Sequence, residues 1–205
     1  VGDDRPSYRF TGYRKFLDPD GYPAVAPPWG TLSAIDLNTG SYLWRIPFGE
    51  YPSLADKSTG SENYGGPILT AGGVLFIGAT LYDKKFHAFD PQSGKLLWKA
   101  GYFVWAPASP ILIDVDGQQQ LVVFGGDIIS GMDPASGREL WRHPHRTDWG
   151  LNISTPVWAP ENHLLFASSA YGTGSRALEL HQVSGKTTVA QKWESRRMRV
   201  HIGTV

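Results

Sequence analysis

The chain has 205 residues, 41% of them hydrophobic, which is enough for one good core. Lys plus Arg and Asp plus Glu each number 19, so no net field steers it to nucleic acid or an anionic membrane. Cysteine is absent, which excludes disulfides, thiolate metal sites and a cysteine nucleophile, and no apolar run approaches the ~18 residues of a membrane span.

Residues 1–28 read as an irregular lead-in containing Pro and Gly, with Asp18-Pro19-Asp20-Gly21 as a turn. A spaced pattern then begins at Ala34 and ends at Trp44, and it recurs from Ala88 to Trp98 and from Gly131 to Trp141. Each copy places a small residue first, then Asp, Gly and Trp at fixed offsets. The stretches Asp36 to Gly40, Asp90 to Gly94 and Asp133 to Gly137 are turn chemistry. Asp can bond the backbone two residues on, and Gly takes the positive φ that closes a hairpin. Around them the side chains alternate with a period of two, as strands require.

Between these hairpins lie apolar strands, Val74 to Ile77, Leu121 to Phe124 and Leu164 to Ala167, each preceded by a turn signal. A fourth, degenerate unit starts near Ser154. It puts Leu178 to Gly185 in the hairpin place, His181 where Asp is expected and Trp193 as the closing aromatic. The chain starts at Val1, not Met, and stops just after Arg199-Val200-His201-Ile202 opens what reads as another strand. The expectation is a piece of a longer protein.

Trp44, Trp98 and Trp141 lie 54 and 43 residues apart, close to the roughly 40–50-residue period of propeller blades. Four strands per unit is also a blade. No segment reads as a long amphipathic helix. The fold class predicted is all-β: a β-propeller of four-stranded antiparallel blades, about four present, forming a partial propeller with exposed edge strands.

The small-x-Asp-x-x-x-Gly-x-x-x-Trp pattern resembles the tryptophan-docking motif of quinoprotein propellers, which bind pyrroloquinoline quinone (PQQ) with calcium. Gly12 to Phe16, Pro27 to Leu32, Glu62 to Pro67, Thr70 to Gly73 and Phe76 to Thr80 leading to Phe89-Asp90 resemble the C-terminal blades of PQQ-dependent glucose-type dehydrogenases. That resemblance covers residues 8–98. From 103 to 205 the chain resembles PQQ-like propellers that keep the blade motif without the cofactor, the outer-membrane assembly lipoprotein among them. The blades thus span 29–205, dehydrogenase-like over 29–100 and PQQ-like repeat over 101–205. The resemblance implies PQQ and calcium as cofactors, a sugar or alcohol as substrate, and a periplasmic or secreted location.

Within this frame the cofactor-facing candidates are Asn63, Tyr64, Gly65 and Gly66. They resemble the loop that enters an inner strand, where relatives bring an aromatic and a close backbone against the quinone. Two glycines allow close approach and Tyr64 can stack on a flat ring. The bland alternative is that Gly65-Gly66-Pro67 merely turns the chain into its blade. No catalytic base can be placed: Asp36, Asp90 and Asp133 are accounted for by turns. No metal ligands are assigned either. His143-Pro144-His145 lacks a third ligand, and Asp114-Val115-Asp116-Gly117 fits a hairpin turn better than a calcium loop. The basic cluster of Lys192, Arg196, Arg197 and Arg199 reads as a solvated strand face. Trp105, Trp149 and Trp158 fall outside the motif; lining a channel is one reading, and covering the open ends of blades is the favoured one.

Two functional classes follow. One is a portion of a PQQ-dependent dehydrogenase, inactive as this chain alone. The other is a non-catalytic scaffold propeller that presents its loops to a protein partner. Neither involves nucleic acid or a transmembrane segment.

Overall fold

The computed structural model describes residues 9–78 and 80–203. Among them, regular structure consists of fourteen strands and two short 3-10 segments, Pro52–Lys57 and Pro160–Asn162. Strands β1 (Thr31–Ile35) and β2 (Tyr42–Pro47) form a two-stranded sheet. The second sheet holds β3 (Ile68–Leu69), β4 (Leu75–Ile77), β5 (Phe86–Phe89) and β6 (Leu96–Ala100), in that order. The third runs through β7 (Ile111–Val115), β8 (Gln118–Phe124), β9 (Ile128–Met132) and β10 (Glu139–Pro144). The fourth comprises β11 (Val157–Ala159), β12 (Leu164–Ser169), β13 (Gly174–Val183) and β14 (Lys186–Ser195). All pairs are antiparallel neighbours in sequence, the meander of a propeller blade. The chain is a partial all-β propeller.

The core lies between blades. Phe48, Ile77 and Phe89 join the first sheet to the second. Phe76, Phe86, Leu121 and Met132 join the second to the third. Val122, Ile129, Leu165 and Leu178 join the third to the fourth. Among the described residues no core cluster links the fourth sheet to the first, so the blades form an arc.

The recurring pattern has a geometric cause at each position. Asp36, Asp90 and Asp133 each accept a hydrogen bond from the backbone N–H two residues on, at 2.8, 2.9 and 2.9 Å. Gly40, Gly94 and Gly137 take φ of 71°, 69° and 72° to close the turn. The small residue sits opposite the tryptophan: Ala34 pairs with Trp44, Ala88 with Trp98 and Gly131 with Trp141. A Cβ on Gly131 would run into the Trp141 indole, which lies flat over that position. The register slips beside each of these pairs, and such a bulge re-aims the side chain that follows it. Trp44 donates from Nε1 to the Pro91 carbonyl (2.9 Å) and Trp98 to the Pro134 carbonyl (3.0 Å), each in the turn of the next blade.

Three details differ from the sequence reading. The first unit contributes only two described strands, because the lead-in offers a single isolated bridge, Leu17 to Pro23, instead of an inner pair. In the fourth unit the small residue opposite Trp193 is Ala177, so Glu179, not His181, stands two positions after it. The β13–β14 hairpin is longer than the others and closes on Ser184-Gly185, both at positive φ, a two-residue turn. The expected strand at Arg199 to Ile202 is irregular. Its backbone is met by side chains: Val200 N–H donates to Ser168 Oγ (3.0 Å) and the Met198 carbonyl accepts from Ser175 Oγ (2.9 Å).

Candidate functional site

The segment Asn63 to Gly66 leads from the first sheet into β3. Its residues Asn63, Tyr64 and Gly65 line a cleft of about 410 Å³ with Trp29, Gly30, Phe48, Ser61 and Ile77. The cleft floor is backbone laid on backbone: Trp29 N–H donates to the Thr59 carbonyl (2.7 Å), and Ser61 N–H to the Phe48 carbonyl (2.8 Å). A Cβ on Gly30 would overlap the Ser61 carbonyl, so this approach requires glycine. The lead-in is held here by aromatics. Trp29 packs edge-on against Tyr51 at 5.2 Å and stacks with Tyr22 at 6.1 Å. Its indole N–H is engaged by the Val25 carbonyl (2.8 Å), which fixes the ring plane.

The four sequence candidates do come together, with different duties. Asn63 Oδ1 accepts from Gly65 N–H (3.1 Å), a local turn that sets the loop. Tyr64 is 64% exposed, and its ring meets Trp105 edge-on at 5.2 Å. Gly65 faces the Ala106 carbonyl, and a Cβ on Gly66 would press on Ser109 Oγ at 2.7 Å. Gly66 therefore serves close approach to the next blade rather than to open space.

Sequence reasoning missed two neighbours. Trp105, read as a cover for a blade end, is the partner of Tyr64. Trp29 belongs to the cleft wall. A signal for the first was present: Gly65-Gly66-Pro67-Ile68, Ala108-Ser109-Pro110-Ile111 and Ser154-Thr155-Pro156-Val157 are one repeated lead into the first strand of each blade. What touches Tyr64 in one blade therefore comes from the corresponding loop of the next.

Behind the cleft runs a buried polar chain. Ser61 Oγ donates to Thr80 Oγ1 (2.7 Å), Thr80 Oγ1 donates to Asp83 Oδ1 (2.7 Å), and Asp83 Oδ2 lies 3.2 Å from His87 Nε2. Burial pushes the Asp83 carboxyl up, but His87, Thr80 and the Lys85 N–H together outweigh it and hold Asp83 below the usual carboxylate range. Glu62, the only carboxylate of the cleft wall, is engaged by Lys15 Nζ at 2.7 Å. That contact raises the Lys15 ammonium above its ordinary value.

The wall presents an exposed tyrosine, an oriented indole and a close-packed backbone. It does not gather a calcium site. Calcium takes about six to eight oxygen ligands, and the one carboxylate here is already paired. Among the described residues no helix is long and apolar enough to cross a membrane.

Comparison with known proteins shows the family of the chain. The E. coli K12 quinoprotein glucose dehydrogenase is 35% identical over 119 residues, 54% of this chain and 15% of the relative. A probable quinate dehydrogenase (quinone) of Xanthomonas campestris pv. juglandis is 37% identical over 122 residues, 55% of this chain and 15% of the relative. The chain thus spans about 15% of the length of these relatives. In fold it is similar to BamB from Moraxella catarrhalis, at TM-score 0.55 and 23% identity, covering 83% of this chain and 44% of that one. It is also similar to the quinohemoprotein alcohol dehydrogenase of Comamonas testosteroni, at TM-score 0.51 and 17% identity, covering 85% and 33%. Residues 3–122 match the PQQ glucose/ethanol/alcohol dehydrogenase β-propeller domain, more than half of the chain and extending into β8. The chain belongs to the PQQ glucose/ethanol/alcohol dehydrogenase β-propeller family.

Proposed function

We propose that this chain supplies part of the propeller of a PQQ-dependent dehydrogenase that oxidises a sugar or alcohol, and that the loop Asn63 to Gly66 presents Asn63, Tyr64 and Gly65 to the quinone. The observation that carries this is the coincidence of the family match with the cleft that Tyr64 and Trp29 share. A PQQ held by this wall would supply the hydride acceptor for the substrate carbon. The chain's own part is to position: Tyr64 offers an exposed ring backed by Trp105, Asn63 holds the loop, and Gly65 and Gly66 keep it close to the next blade. The indole contacts of Trp44 and Trp98 act as the family's docking elements. No base is assigned, and no step is routed through calcium. A periplasmic or secreted location follows from the resemblance to the family.

A titration of PQQ with calcium into monodisperse protein, read by tryptophan fluorescence, tests this. Saturable quenching is expected, weakened by Tyr64→Ala. A folded chain that shows no quenching would sink the cofactor role of the loop and leave a scaffold propeller whose loops meet a protein partner.

A further inference from the structure

The seam between the third and fourth sheets lacks the contact that joins the earlier blades. Trp141 does not reach a turn of the next blade. Its Nε1 donates instead to Gln120 Oε1 of its own sheet, at 2.6 Å. The long β13–β14 hairpin reaches across this seam in another way. Gln182 N–H donates to Asp116 Oδ2 (2.8 Å), and Gln120 Nε2 donates to Thr187 Oγ1 (2.8 Å).

Where the hairpin crosses, three side chains converge from separate elements: Asp116 in the β7–β8 turn, His163 before β12, and His181 on β13. Their donor atoms all lie within 4.8 Å of one another. His163 Nδ1 stands 3.3 Å from Asp116 Oδ1, and His181 Nδ1 stands 3.6 Å from Asp116 Oδ2. Donors around a tetrahedral zinc keep about this spacing, since each sits roughly 2.0–2.2 Å from the ion. His163 Nδ1 is buried and makes no hydrogen bond, despite its short distance to the carboxylate. Both Asp116 (φ 51°) and His163 (φ 54°) occupy the left-handed region, at a hairpin turn and a helix end. The Gln182 N–H orients the carboxylate, as outer partners do in metal sites.

We propose that Asp116, His163 and His181 bind a divalent transition metal, zinc by donor chemistry, which pins the fourth blade to the third. Two imidazoles and one carboxylate suit zinc and not calcium, which prefers oxygen donors alone. Three protein ligands leave one position for water. The site is independent of the quinone reading.

The test is calorimetric titration of zinc into the chelator-treated chain, paired with its thermal midpoint. One equivalent is expected to bind and to raise the midpoint, because a ligand that prefers the folded state stabilises it. His181→Ala removes a half-exposed ligand and should leave the zinc-free fold intact by circular dichroism. It should weaken binding by more than about 100-fold, beyond the 10–100-fold cost of losing an outer partner. Asp116→Asn should act likewise. Cobalt should show the visible absorption of a tetrahedral site in the parent and lose it in both variants. No binding by the parent, or unchanged affinity in both variants, overturns the proposal.

Discussion

The Trp44 indole occupies the space a Cβ on Gly94 would need: its ring carbons stand 2.8 Å from that position. Trp44 also donates to the Pro91 carbonyl three residues before Gly94. One turn therefore has two reasons for its glycine, a positive φ and a docked ring from the preceding blade. Gly137 repeats the arrangement under Trp98, with ring carbons at 2.6 Å. Gly40 has the same φ and nothing within 4 Å of its Cβ position.

These glycines can be separated by experiment. Gly40→Ala is expected to cost about 1–2 kcal/mol, from the left-handed backbone alone. Gly94→Ala adds the overlap with Trp44, and overpacking of this kind costs roughly a further 1–3 kcal/mol. Urea denaturation of the two variants measures the difference. Equal losses would mean that the indole moves aside freely and that docking contributes little.

Trp141 supplies a second comparison. Its N–H depends on Gln120, and both residues are buried. Gln120→Leu leaves that donor unsatisfied and also removes the bond to Thr187. The expected loss is about 1–3 kcal/mol, the cost of an orphaned buried polar group. Trp141→Phe in the Gln120→Leu background should then recover part of it. A double variant no more stable than Gln120→Leu would count against the pairing.

His145 sets an acid limit. It is fully buried, with Nε2 on Ser169 Oγ at 2.9 Å. Burial first, then the Arg176 and His143 charges, push it down from 6.5 to about 3. Between these values the unfolded chain takes up a proton that the folded chain refuses, so stability falls as pH drops through that window. The linked loss is on the order of 5 kcal/mol when the window is fully crossed. His143, also lowered by burial, acts in the same direction. Denaturation midpoints of His145→Gln should vary less with pH than those of the parent between about pH 4 and 7. An unchanged slope would show that His145 is not held neutral.

The repeat by itself determined the blades, because each of its positions answers a local need. Asp36 bonds within its own turn, Gly40 supplies a dihedral, and Ala34 makes room for the indole two strand positions from the turn. Such causes act over ten residues and leave a periodic trace that can be read without coordinates. The turn of Asn63 to Gly66 into β3 was legible too, through two glycines and a proline ahead of a strand. What touches it was traceable only through the repeat: Trp105 lies 41 positions from Tyr64, beside the corresponding lead into the next blade, and the stacking of blades brings their rings together. The fourth hairpin misled for a related reason. Its register is set by pairing Ala177 with Trp193, and lengthening both strands leaves the pairing intact while erasing the spacing. The convergence of Asp116, His163 and His181 left no mark in the sequence. Asp116 serves its own hairpin turn, and only packing of the fourth blade on the third carries the two imidazoles to it. Local turn and strand chemistry is written within a repeat; contacts across the seams between repeats are decided by the packing of whole sheets.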